Sequence, residues 1–133
     1  MKELSERSKW HVSNERRLEL EHFVRQYDDW HRAILDLNLY SMAHPTEAQR
    51  KAGVATSQTE KVAISLTFYK ERINLVNRAA AMTDPMLAKP ILFCVMYRLP
   101  YDKINAQYDV PCGRDMFYDK VRQFIWTLDK LRN

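Results

Sequence analysis

Glycine is almost missing from this chain: two residues in 133, against a usual share of roughly 7%. So few glycines leave little material for the phosphate loops, tight hairpins and bulges on which α/β and all-β enzymes depend, and helices are favoured from the outset. Cysteine is as scarce, with two residues. Cys94 lies inside an apolar run and reads as a small core residue, while Cys112 lies in a turn without a CxxC partner, so a disulfide framework is excluded. Long hydrophobic runs are lacking too. The longest, Ile91 to Tyr97, falls far short of the roughly 18 apolar residues a membrane span needs. The opening MKELSERSKW has no apolar signal-peptide core; the expectation is a cytoplasmic protein with no membrane partner. Nucleophile elbow, P-loop and HExxH spacing are all absent. His22 and His31, with Glu19, Asp28 and Asp29 nearby, do not have the spacing of a tetrahedral metal site. His22 reads as packing at a helix margin and His31 as a surface residue. No catalytic residue, metal or cofactor is expected, and the chain does not read as an enzyme.

What is present is enough apolar material for a core. Hydrophobic residues make up 46% and charged residues 29%, the balance of a folded domain rather than a disordered chain. Formal net charge is +4, and the excess lies toward the C-terminus, where residues 85 to 133 carry eight basic and five acidic side chains. A basic half admits nucleic acid as a partner.

Hydrophobic period gives the architecture. Leu20, Phe23, Tyr27, Trp30, Ile34 and Leu37 fall at alternating steps of three and four, one face of a helix. The spacing predicts a long helix over 14 to 39, or two collinear ones, capped by Ser13 or Asn14 and weakest at Asp28 and Asp29. Residues 41 to 56 read as loop. Ser57 and Glu60 form a capping box that opens a second long helix, with Val62, Leu66, Tyr69, Ile73, Val76 and Ala80 on one face and an end before Asp84 and Pro85. Two such stripes predict an antiparallel hairpin over 1 to 83, and their length suggests that they also serve assembly into a homo-oligomer. Beyond it, Pro90, Pro100 and Pro111 cut the chain into helices at about 86 to 97, 101 to 108 and 114 to 131. Pro90 makes the first of these start near Lys89 or kink; a buried strand over 91 to 97 is the alternative. The fold class is all-α, with a long N-terminal helical hairpin packed with a C-terminal helix-turn-helix domain over 84 to 133.

The helix-turn-helix reading rests on residues 101 to 126. Ile104 and Tyr108 point inward from a short helix, Val110 plugs a turn beside Gly113, and Phe117, Val121, Phe124, Ile125 and Leu128 line one face of the last helix. Advancing 100° per residue from Phe117 turns Asp115, Tyr118, Asp119, Arg122, Gln123 and Trp126 away from the core. Arg114 stands at the helix entrance, where a guanidinium can meet guanine O6 and N7 with two donors. Lys103, Gln107, Lys120 and Lys130 suit phosphates. Trp126 lies half a turn from Phe117 and needs cover, which the N-terminal hairpin would provide.

The stretch LPYDKINAQYDVPCGRDMFYDKVRQFIWTLDKL resembles the last segment of the phage late-transcription activators of the ArpU and RinA type, a helix-turn-helix similar to sigma factor region 4. SNERRLELEHFVRQYDDWHRAILDL, with Tyr27, Trp30 and His31, and SQTEKVAISLTFYKERINLVNRA, opened by Ser57, Thr59 and Glu60, are similar to that family's two upstream helices. Pro90 and the longer turn at Pro111 and Cys112 depart from the pattern. The resemblance implies a sequence-specific DNA-binding activator of phage late genes, with double-stranded DNA and host RNA polymerase or its sigma factor as partners. A terminase small subunit and a protein-binding adaptor remain alternatives.

Overall fold

The computed structural model describes residues 9–43 and 57–133. Among them are six helices, α1 (Asn14–Arg25), α2 (Tyr27–Ala43), α3 (Ser57–Thr83), α4 (Ala88–Tyr97), α5 (Tyr101–Tyr108) and α6 (Arg114–Arg132), and no strand. The all-α class follows, and Ile91 to Tyr97 is helix rather than strand. Residues 44–56 and the Ser57 side chain, on which the capping box turns, lie outside the described residues.

Boundaries follow local chemistry. Ser13 caps α1, its Oγ accepting from the Arg16 N–H at 3.3 Å. The break comes at Gln26, two residues ahead of the aspartates expected to mark it. Asp28 and Asp29 instead occupy the first turn of α2, where a carboxylate is favoured by the free N–H groups and dipole of a helix start. α2 continues through Ser41 to Ala43, past the expected end at Leu39, because nothing in that stretch stops a helix before Pro45. Pro90 is the third residue of α4; its missing N–H is one that a first turn leaves unbonded, so no kink is needed. Asp84 prepares that start, its Oδ1 accepting from the N–H of Met86 at 3.0 Å and of Leu87 at 3.3 Å.

The chain forms two compact units, one made of the residues up to Gln26 with Leu75–Asn133, the other of Tyr27–Asn74. This partition does not coincide with the expected segments 1–83 and 84–133, since α1 and the end of α3 belong with the C-terminal helices. In the first unit α1, α4 and α6 pack on one another and α5 leans on α4 and α6. Leu20, Val24, Ile91, Ile104, Phe117, Phe124 and Leu128 have no exposed surface, and each such burial contributes about 1.5–3 kcal/mol. Arg16 Nε donates to Asp129 at 2.7 Å and the Arg132 guanidinium lies 3.9 Å from the Phe23 ring centre, tying α1 to α6. Trp126 is half-buried and meets Trp10 edge-on at 5.2 Å. The cover therefore comes from the residue segment just ahead of α1 and not from the hairpin stripe.

In the second unit the Gln58 side-chain amide donates to the Tyr40 hydroxyl, joining the end of α2 to the start of α3 as a hairpin requires. Trp30 and Ile73 are its buried apolar side chains, while Leu35, Leu39, Met42 and Ile64 are more than half exposed.

Both thiols behave as the sequence suggests. Cys94 is buried, and burial pushes its thiol from an ordinary 9 up to about 11; Cys112, half-buried in the turn, is raised by burial and then by Asp84. Iodoacetamide at neutral pH should label Cys112 first and reach Cys94 only on unfolding. Because the unfolded thiol ionises first, Cys94 contributes stability that is complete below pH 9 and is lost as pH rises toward 11. Equal labelling of both thiols in the native protein would contradict this placement.

Candidate nucleic-acid interface

Helices α5 and α6 and the five residues between them form one locally stitched unit. Asp109 ends α5 with φ 51°, its N–H donating to the Asn105 carbonyl at 2.8 Å, and the Asn105 side chain accepts from the Val110 N–H at 2.9 Å. That places Val110 inward, 7% exposed, as the plug. The left-handed position in this turn is thus Asp109, a residue that tolerates it. Gly113 has φ −76° and nothing near a prospective Cβ, so the turn does not depend on glycine there. The Tyr101 hydroxyl donates to the Cys112 carbonyl at 2.6 Å, and the Tyr101 N–H donates to the Tyr118 hydroxyl at 2.9 Å. Tyr118 is therefore a strut between α5 and α6, not an outward reading residue; the 100° step places it on the flank of α6 that meets the start of α5.

The other expected DNA-facing residues divide. Lys103 and Gln107 are exposed on α5, and Asp115 and Asp119 are exposed on α6. Arg114 is exposed, but its Nη2 reaches both carboxylate oxygens of Asp102, at 2.9 and 3.0 Å. The hydrogen bond and charge of Asp102 hold the Arg114 proton more firmly than usual. Lys120 is half-buried with its Nζ 3.7 Å from Asp84 Oδ2, so it helps hold the α3–α4 connection on α6. Arg122 is half-buried and its Nε has no acceptor among the described residues. Lys130 is exposed and sits 5.3 Å from the Trp126 ring centre. Sequence reasoning missed Asp102 as the partner of Arg114 and missed Met116, which is 60% exposed beside it.

The residues expected to serve assembly divide as well. Leu20, Phe23, Trp30, Ile73 and Val76 are buried within the single chain. Tyr27, Ile34, Leu37, Val62, Leu66 and Tyr69 are half-buried. The exposed apolar side chains lie next to them in sequence, at Leu35, Leu39, Ile64 and Phe68. His22 is exposed rather than packed, and His31 is exposed with its ring edge-on to Tyr27 at 4.8 Å. Among the described residues no helix is long and apolar enough to cross a membrane. Comparison with protein-family models, with curated proteins and with solved structures found no match to this chain.

Proposed function

We propose that this chain is a sequence-specific DNA-binding protein that uses α5 and α6 as a helix-turn-helix, of the kind that activates phage late genes beside host RNA polymerase in the bacterial cytoplasm. The observation that carries the reading is the α5–turn–α6 unit itself: Ile104, Val110 and Phe117 are buried beneath it, while Lys103, Gln107 and the α6 residues Arg114, Asp115 and Met116 stay in solvent. A groove-reading helix needs that combination of a fixed inner face and a free entrance. Duplex binding should weaken with salt by about 0.9 logarithmic units per phosphate neutralised. A slope near zero, or no binding at low salt, would remove DNA as the partner. Within this reading Asp102 competes with guanine for Arg114. Arg114→Ala should lower affinity for the cognate site roughly tenfold to a hundredfold and leave random DNA little changed, whereas Asp102→Asn should tighten binding to both. Band-shift titrations on the two DNAs give the answer; unchanged discrimination in Arg114→Ala means that the helix enters in another register.

One observation favours a second reading, an adaptor for a protein partner. Asp102 pairs with Arg114, Asp115 adjoins it, and both are exposed together with Met116, a surface whose acidic charge repels phosphates and suits a basic, apolar protein face.

Assembly, in this proposal, uses the exposed apolar side chains of the second unit. Ile64→Asp and Leu39→Asp should reduce self-association in sedimentation velocity while leaving the melting temperature near its original value. Ile73→Asp should unfold the chain instead, because that side chain is 6% exposed. A wild-type protein that stays monomeric across the concentration series sinks the assembly role.

A further inference from the structure

We infer that the cleft between α1, the C-terminal end of α4 and α6 binds a small organic molecule through a phosphate monoester group. The cleft has a volume of about 320 Å³, within the range that holds small organic ligands. Arg17, Glu21 and Arg25 stand at successive four-residue steps on one side of α1, and all three line it together with Arg98. Glu21 is paired with Arg17 at 3.0 Å and more loosely with Arg25 at 3.7 Å. Arg98 makes no ion pair among the described residues. Three guanidiniums against one carboxylate leave two positive charges in a partly enclosed space.

Arg25 Nε also donates to the Val95 carbonyl at 3.2 Å and Arg17 Nη2 to the Asn14 side chain at 2.5 Å, but these acceptors are neutral, and three further observations among the described residues point to unmatched charge. The Nε of Arg17 is buried without an acceptor among the described residues. Arg25 has its proton loosened, first by burial and then by the charge of Arg98. Arg98 itself caps α4 with φ 55°, a backbone position where glycine is favoured and a long side chain is strained. A strained residue that carries the uncompensated charge of a cleft is the pattern of a ligand contact.

Charge selects the ligand class. A carboxylate or a nucleic-acid phosphodiester brings one negative charge and leaves one cation unmatched, whereas a phosphate monoester carries nearly two at neutral pH and suits the planar donors of arginine. Val95 and Leu99 form an apolar wall beside the arginines, so the phosphate carries an organic part. The cleft shares Tyr118 with the α5–α6 unit but none of Lys103, Gln107 or Arg114, so substitution of Arg98 tests it apart from DNA binding.

The experiment titrates the full chain with phenyl phosphate, inorganic phosphate and dimethyl phosphate by calorimetry, with the arginine Nε–H signals followed by NMR. Phenyl phosphate should bind and shift the cleft arginines, inorganic phosphate should bind more weakly, and dimethyl phosphate at least tenfold more weakly still. Arg98→Gln, which keeps a similar backbone strain at an exposed position, should weaken phenyl phosphate about tenfold with the melting temperature of the free protein unchanged. Affinity should fall as pH drops below about 6, where the second phosphate charge is lost. No binding to the wild type, full binding to Arg98→Gln, or equal binding of the two phenyl-free probes and phenyl phosphate would each overturn the proposal. Displacement of phenyl phosphate by a short DNA duplex would assign the cleft to the nucleic-acid backbone and overturn it as well.

Discussion

Glu21→Ala is expected to lower the unfolding free energy by about 3 kcal/mol, the lower end of what removal of one partner from a buried ion pair costs. Glu21 is 8% exposed and is held between Arg17 and Arg25, whose side chains are 15% and 22% exposed. Without it three guanidiniums line the cleft with no carboxylate between them, and those of Arg17 and Arg25 are too buried to be fully screened. The cost is therefore the stranded charge more than the lost bond. Glu19 supplies the contrast. It pairs with Arg16 at 2.9 Å and Arg132 at 3.8 Å but is 58% exposed, so Glu19→Ala should change stability by no more than about 0.5 kcal/mol. Urea denaturation of the two variants reads the difference directly. A Glu21→Ala loss below about 1 kcal/mol would mean that solvent reaches the triad and that the cleft is not an enclosed electropositive site.

The C-terminal helices were legible because their boundaries are written in strong local signals. Pro100 precedes α5 directly, Pro111 lies in the turn, and the Phe117 to Leu128 stripe keeps its period, so α5 was placed at its observed ends and α6 within a residue. At Gln26 no proline or glycine marks the break, and the adjacent aspartates, poor formers of a helix interior, are good formers of its first turn; propensity alone does not tell a break from a start. The Arg17, Glu21 and Arg25 spacing, which sequence reasoning missed, is a four-residue repeat of alternating charge, a pattern that on most helices lies in solvent. What buries it is the packing of α4 and α6 on α1, which no local pattern states. Arg114 was found at the helix entrance, yet its bond to Asp102 spans twelve residues and depends on how the turn folds back. The same limit applies to the apolar stripes: period shows that Leu20 and Ile64 lie on helices with an apolar side, but only the tertiary arrangement decides that Leu20 is core and Ile64 is 69% exposed.

Phe117→Ala should have the largest effect of any truncation to alanine, lowering stability by about 3–5 kcal/mol. The ring has no exposed surface and stands at the junction of α5, the turn and α6, with the Tyr101 ring centre at 5.7 Å and the Tyr118 ring centre at 5.8 Å. Those two tyrosines are the ones that join α5 to α6 through the Tyr101 N–H and the Cys112 carbonyl. A cavity at Phe117 therefore removes more than its own buried area, because the struts that fix α5 lose the surface on which they rest. Tyr118→Phe separates the two contributions. It keeps the ring and deletes one hydrogen bond, and should cost about 1 kcal/mol. If the ring contacts support the strut, the two changes are coupled and the double variant loses less than the sum of the singles. Circular dichroism melts of the three variants test this, and DNA binding provides an independent readout. Phe117→Ala should abolish binding at temperatures where Tyr118→Phe, still folded, binds nearly as the wild type does. Loss of binding in a folded Tyr118→Phe would instead make the Tyr118 hydroxyl a contact to DNA, and a Phe117→Ala protein that melts close to the wild type would show that α5 and α6 are held together by the turn alone.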